Sequence, residues 1–486
     1  VTFSNGREHS IDTACIGIIG GGFSGAAMVY HLARYARGPL DLVVYEPRSR
    51  VGAGVAYSAP GDHLLLNVPV GELSIDPDRP ADFRDWCHSL GRRVDAGAFL
   101  PRTWFGAYAE ARMAQQIHAA GGSVTLRRVP ARLERIDEDS DRLTLADSVG
   151  GVVRADHAVL ALGHGPTRIP DAIEPYRDSL QVLLSPWNRE DMARVAESAD
   201  RILLVGTGLT MCDAAITLSR MGFRGEMTAI SRRGLLPQAH GPSDPTSLRG
   251  WAEQLSFDPL RTLRREIRAM ARVHGWRSVV DALRGNSSAL WGALSLHDQD
   301  RFVRRLAPYW DVHRHRLPPE CASAIDVLRD AGALRIVRGH LRRVRRTRSR
   351  FTCELYSHGF ARFETLLADA IVLCTGPDPD PRRWNSPLIN KLVADGLASP
   401  EVNGLGLRTT NSGLLIGRGA VVQHRLSTLG PLRRGSLWES TAVPEITAQA
   451  AQLGRLIASR DARPASAHRS TYHEIAQLSP DHWRNP

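Results

Sequence analysis

The stretch IGIIGGGFSGAAMVYHLARY, residues 16–35, joins a short apolar run to a helical pattern through a glycine-rich turn. Ile16 to Ile19 reads as a buried strand and Ala26 to Tyr35 as a helix, so G-x-G-x-x-G lies between strand and helix. Gly20 permits the tight turn, Gly22 lets a diphosphate approach the backbone, and Gly25 lets the helix pack close to the strand. With Phe23 and Ser24 between them, the helix N-terminus directs free N–H groups at phosphate. The next strand, Asp41 to Tyr45, ends in Glu46, where a carboxylate accepts ribose hydroxyls. Strand, turn, helix, strand and terminal acid together predict a dinucleotide site.

Glu46 disfavours a 2′-phosphate, which leaves NAD or FAD. The chain after it, RSRVGAGVAYSAPGDHLLLNVP from Arg48, is an extended polar and glycine-rich segment rather than a further strand–helix unit. That is how a chain passes alongside a flavin, so FAD is the expected ligand. A second turn of the same shape follows the strand Ile202 to Val205, with Gly206 and Gly208 in the first two glycine places and Met211 in the third. Its next strand, Met227 to Ile230, ends in Ser231-Arg232-Arg233, with no acid. Two guanidinium groups there are suited to an adenosine 2′-phosphate. NADPH is therefore expected, with NADH as the other donor and a purely structural second unit as the bland alternative.

Two buried runs, Ala158 to Gly163 and Ala370 to Gly376, each follow an Ala-Asp pair and end in glycine. They read as equivalent strands, each marking a crossing between domains near cofactor. The fold class is then α/β, with two Rossmann-like dinucleotide-binding domains and a helical insertion. The FAD domain is expected at 11–190 and 369–460, the NAD(P)H domain at 198–368, the helical insertion at 244–328, and a tail at 461–486. The insertion carries Arg304, Tyr309, Trp310, His313, His315 and Arg316, read as a pocket for an anionic or planar substrate. The alternative is an arginine-rich surface with an aromatic packing contact. His313-x-His315 has no second cluster to complete a metal site, so no metal is expected.

Composition excludes several classes. Hydrophobic residues are 43% and charged residues 23% of the 486, ordinary for a globular chain. No apolar run approaches the roughly 18 residues of a membrane span, and a cytoplasmic, non-membrane enzyme is expected. The formal charge of +11 is almost all arginine, Lys391 being the single lysine. Runs such as RRVRRTRSR (342–350) lack the interleaved aromatics that stack bases, so no nucleic-acid partner is expected. None of the six cysteines stands in a C-x-x-C arrangement, which argues against a flavin disulfide reductase.

The residues resemble a large bacterial group of FAD/NAD(P)-binding proteins distantly related to class B flavin monooxygenases. The resemblance rests on GGGFSG (20–25), GVAYS (54–58), HLLLNVP (63–69), PRTWFGAYAEARM (101–113), VGTGLTMCD (205–213), YWDVHRHRLPP (309–319) and LGPLRRGSLWESTAVPEI (429–446). It covers nearly the whole chain. It implies bound FAD, reduction by a nicotinamide, and a small-molecule substrate with O2; urate-hydroxylating and N-oxygenating enzymes are among the relatives. Carried over by motif, His63 and Asn67 would lie near the flavin end and Arg102 with Tyr108 near its ribityl or phosphate part. Val129 would meet adenine through its backbone, and Gly163 and Gly376 would approach cofactor. Gly430, Pro431, Trp438 and Glu439 would close over the flavin ring, with a helix from Trp438 aimed at it. The expected activity is an FAD-dependent, NAD(P)H-using monooxygenase acting on a small polar or anionic substrate. A flavin dehydrogenase or oxidase, or a flavin-binding redox sensor, are the other readings, and the motifs name no catalytic side chain.

Overall fold

The computed structural model describes residues 13–461, apart from 256–259, 349 and 359–360. Two parallel sheets organise the chain. The first runs in the order 414–416, 422–428, 157–160, 14–19, 40–45, 124–129, with the Ala14–Ile19 strand at its centre. Its neighbours are parallel to it, Ile16 standing beside both Leu42 and His157. Being buried on both faces, these strands are apolar runs rather than alternating ones. Helices Phe23–Tyr35, Arg102–Ala119 and Val443–Asp461 cover one face, sharing a core that includes Ile18, Phe105 and Ile446.

A three-stranded antiparallel meander, residues 133–155, covers the other face. It explains Gly17, an odd residue inside a central strand: Leu145 of the meander occupies the space where a side chain would stand.

The second sheet centres on Arg201–Val205, flanked by parallel Glu226–Ser231 and Ala370–Leu373. Helices Leu209–Arg220 and Pro319–Asp330 share a core with one face. Three antiparallel strands between 334 and 368 extend its edge and curl over the other face, where Val344 and Phe351 share a core with Leu203 and Ile371.

These pairings shift the predicted boundaries. The expected return to the FAD domain at 369 falls one strand early, because Ala370–Leu373 pairs with Arg201–Val205, Ile371 beside Leu203. Val182–Leu183, assigned in sequence to the first domain, pairs with Ala370–Leu373 and belongs to the second sheet. The crossings themselves run side by side: Arg168 N–H donates to the Gly376 carbonyl and Asp378 N–H to the Pro166 carbonyl. Beyond residue 461, the expected tail lies outside the described residues.

The described residues of the insertion form short helices from Thr246 to Glu253 and from Leu260 to Arg314. Its ends are stitched together around Ala239 and Leu317: the Leu317 N–H donates to the Gln238 carbonyl and the His240 N–H to the Leu317 carbonyl, both at 2.9 Å. Helix Pro319–Asp330 therefore belongs to the second Rossmann unit, so the insertion closes earlier than residue 328. Its core of Leu263, Val279, Leu283 and Trp291 also takes in Leu405 and Trp438 from the returning chain. The insertion is thus docked on the first unit while being covalently part of the second.

Candidate cofactor and substrate site

The first glycine turn has the geometry of a diphosphate cradle. Gly20 has φ +109, and a Cβ there would collide with the Ala161 carbonyl oxygen. A Cβ at Gly25 would collide with the Gly20 carbonyl oxygen, whereas one at Gly22 would meet only the Gly54 Cα at 3.6 Å. Two glycines close the turn and the one between them leaves room for a ligand. Phe23 is a core anchor against Phe105, ring centres 5.2 Å apart. Ser24 is buried, its Oγ 3.2 Å from where a Gly430 Cβ would stand.

Glu46 is also buried. Its Oε2 accepts the Gly21 N–H at 2.9 Å and its Oε1 the Arg48 N–H at 2.9 Å. The Val129 carbonyl accepts the Glu46 N–H at 3.0 Å, which puts the expected adenine contact on the same rim. These features fit the ADP half of FAD.

Four residues expected near the flavin also bond groups of the protein. The His63 ring bonds Thr217 Oγ1 at 2.8 Å, on the helix of the second unit. The Asn67 carbonyl is bonded by the His240 ring at 3.0 Å. Arg102 pairs with buried Asp213 at 2.6 Å and also donates to the Leu65 carbonyl. Tyr108 is fully buried, donating to Asp82 at 2.7 Å and accepting the Ile75 N–H at 3.0 Å. Buried polar groups need partners, and here each finds one in protein.

The C-terminal segment does reach the first turn. Gly430 donates its N–H to Gln449 Oε1 at 2.9 Å, and Pro431 lies in the short turn that follows. Helix Val443–Asp461 starts five residues later than the expected Trp438. Trp438 instead has φ +56 and ψ −64, a costly conformation for a bulky residue. Packing holds it there: its ring stacks on Trp291 at 4.9 Å, meets the edge of Phe302 at 5.0 Å, and lies under the Arg434 guanidinium at 4.4 Å. Glu439 Oε1 accepts the Trp310 indole N–H at 2.9 Å, and Arg314 stands 3.5 Å from its other oxygen.

At the second turn Gly206 has φ +124 and abuts the Cys374 carbonyl oxygen, while Gly208 faces open space. The cradle fits a second diphosphate. Met211, where a third glycine was expected, is buried in the second core and neither displaces the turn nor faces a ligand. Ser231 stands at the strand end in place of an acid, bonded to Thr207 Oγ1 at 2.7 Å. Arg232 is exposed; Arg233 donates to the Arg304 carbonyl at 3.0 Å and lies 5.1 Å over the Tyr309 ring. Arg304 and Tyr309 thus neighbour the expected 2′-phosphate position, not a substrate pocket.

A cavity of about 350 Å³ lies where the parts converge. Its walls include Gly208 of the second turn, His164 of the first crossing, Asp311 and His315 of the insertion, and Trp438 and Glu439 of the returning chain. Gly163 and Gly376 flank the crossings beside it, both opening onto free space. A groove of about 470 Å³ between Tyr35 and Arg455 is larger, but it lies on the outer ends of two helices, away from both turns. The converging cavity is the candidate site.

Of the six expected substrate residues, the cavity takes His315 alone. Trp310 serves Glu439, Arg316 is ion-paired with Asp281 at 2.8 Å, and His313 packs edge-on against Trp276 at 4.8 Å. His313 and His315 therefore point to different environments. Burial lowers the His164 pKa to about 4, helped by Arg434. Burial lowers His315 to about 3, helped by Arg314 and other arginines. Both rings are neutral at pH 7. Burial pushes Asp311 up to about 6; Arg434 opposes this and Glu439 adds to it. The sequence reading missed His164, Asp311 and Arg434.

The architecture is that of a two-dinucleotide FAD/NAD(P)-binding protein. Residues 17–165 match the FAD-NAD(P)-binding family. No curated protein matches the sequence. Among solved structures, the chain is similar to the Kutzneria sp. 744 ornithine N-hydroxylase, with TM-score 0.66 and 16% identity over 92% of this chain and 99% of that one. It is also similar to L-lysine 6-monooxygenase from Pseudomonas syringae, with TM-score 0.62 and 16% identity over 93% and 100%. The FAD-bound cadaverine monooxygenase from Erwinia amylovora gives TM-score 0.62 and 14% identity over 93% and 95%. At these identities the likeness is one of fold. No helix among the described residues is long and apolar enough to cross a membrane.

Proposed function

We propose that the protein is an FAD-dependent, NADPH-using monooxygenase that oxygenates a small polar substrate bearing an amino group. The observation that carries this reading is the single cavity onto which the second glycine turn, the first crossing, the insertion and the C-terminal segment all open. Gly20, Gly22 and Gly25 with the helix they begin would hold the flavin diphosphate, and Glu46 its ribose. Gly206 and Gly208 would hold the diphosphate of NADPH, with Arg232 and Arg233 reading its 2′-phosphate. Bound there, FAD would supply the redox and oxygen-inserting chemistry, with NADPH as its source of reducing equivalents. Trp438, wedged between Trp291 and Phe302, keeps one wall apolar and restricts water.

The cavity's charge argues against the anionic substrate expected from the arginine content. Its walls bring two carboxylates, Asp311 and Glu439, against one guanidinium, Arg434. An amine suits that balance, and the similar folds include hydroxylases of ornithine, lysine and cadaverine. The test is oxygen-isotope labelling with the FAD-loaded enzyme, NADPH and a panel of small amines. Label from O2 in a hydroxylated product supports the reading. NADPH consumption that yields only peroxide with every amine tried overturns it.

A further inference from the structure

We propose that Asp311 is the carboxylate that pairs with the substrate's cationic amino group, and so sets which compounds the cavity accepts. The inference rests on the monooxygenase reading and adds a named contact to it.

Asp311 lies on helix Ala307–Arg314 and forms part of the cavity wall. Its backbone carbonyl accepts the His315 N–H. Among the described residues its carboxylate has neither a hydrogen bond nor an ion pair. The other charged groups around it are engaged. Glu439 accepts from Trp310 and faces Arg314. Arg314 stands between Glu439 and Glu445, 3.7 Å from the latter, and Arg284 behind it pairs with Glu445 at 2.9 Å. Arg434 lies on the Trp438 ring. His164 and His315 are uncharged at neutral pH.

Asp311 is half-buried in the cavity wall, so its carboxylate is incompletely solvated, and a bound cation offsets that cost. A primary ammonium offers three donors and a full charge to the Asp311 carboxylate, and the neutral His164 and His315 rings add acceptors to the same cavity. An anion would meet the unpaired Asp311 carboxylate, and a neutral alcohol would bring it no countercharge. The carboxylate form predominates above about pH 6, so amine binding is complete above that pH and weakens as the pH falls through it.

The test uses FAD-loaded full-length protein and the change in flavin absorbance on titration with primary amines, from methylamine to cadaverine, against alcohols of matching length. At least one amine is expected to perturb the spectrum, and its matching alcohol far less. That amine should bind about tenfold more weakly for each pH unit below 6. Asp311→Asn should weaken it by about tenfold or more at pH 7.5 and flatten the pH dependence. Asp311→Glu should restore part of both. Failure of every amine to perturb the flavin overturns the inference, as do equal amine affinities in Asp311→Asn or an unchanged pH profile there. Anaerobic bleaching by NADPH, measured in the same samples, separates the two levels: bleaching without the Asp311 effects removes this contact alone, and no bleaching removes the enzyme reading beneath it.

Discussion

The two glycine turns use one local grammar to opposite electrostatic ends. In the first, the strand ends in Glu46, buried and bonded to backbone N–H groups of Gly21 and Arg48. In the second, the strand ends in Ser231, followed by exposed Arg232 and by Arg233, which bonds the Arg304 carbonyl. The first turn also requires its third glycine, since Gly25 touches the Gly20 carbonyl, while the second accommodates Met211 in the core. A tightly enclosed acid rim suits a resident cofactor without a 2′-phosphate, and an open basic rim suits one that arrives and leaves. Shape alone does not distinguish the two ligands. The side chains at the strand ends do.

The largest effect should come from Gly25→Ala. The added methyl group meets backbone, which cannot give way cheaply, so a loss of about 3 kcal/mol or more in stability is expected, together with loss of bound FAD. Thermal melts and the flavin content of purified protein check this. Retention of full flavin content would break the contrast with Met211.

The comparison extends to a second pair of acids, Glu46 satisfied and Asp311 not. The folded-state pKa of Asp311 lies above its ordinary value. Ionisation therefore disfavours folding, and that penalty builds as pH rises from about 4 through 6. Asp311→Asn should accordingly stabilise the ligand-free protein by about 2–3 kcal/mol at pH 7 and by nearly nothing at pH 4. Denaturant melts at both pH values measure it, and equal effects at both would contradict the assignment.

Glu46→Gln keeps one acceptor and loses the charge. FAD dissociation should rise by about tenfold or somewhat more, near 1.5–2 kcal/mol, measured by flavin fluorescence during dilution. Smallest is the change at the second rim. Arg232→Ala should raise the NADPH KM about tenfold, near 1.5 kcal/mol, and leave that for NADH within about twofold. Arg233→Ala should do less, because Arg233 already bonds the Arg304 carbonyl. Equal effects on the two nicotinamides would remove the 2′-phosphate role.

Much of this plan is legible in the sequence because it is local. Turn, strand and terminal acid lie within 31 residues, from Ile16 to Glu46, and the arginines follow their strand directly. What was hidden depends on pairing. Ala158–Leu160 and Ala370–Leu373 look alike as apolar runs ending near glycine, and only hydrogen-bonded neighbours assign one to each sheet. Arg102 pairs with Asp213, 111 positions away, a contact no local pattern shows. In the insertion, Asp311 lies on helix Ala307–Arg314 and His315 caps its end, its N–H on the Asp311 carbonyl, and both reach the cavity. His313, on the helix, and Arg316, beyond its end, settle around Trp276.

The division of labour between the two turns can be tested most directly by mixing the FAD-loaded protein anaerobically with NADPH and following the flavin absorbance. The account predicts rapid bleaching with NADPH, markedly slower bleaching at the same concentration of NADH, and loss of that difference when Arg232 and Arg233 are both replaced by alanine. A flavin that stays oxidised in the presence of excess NADPH would contradict it.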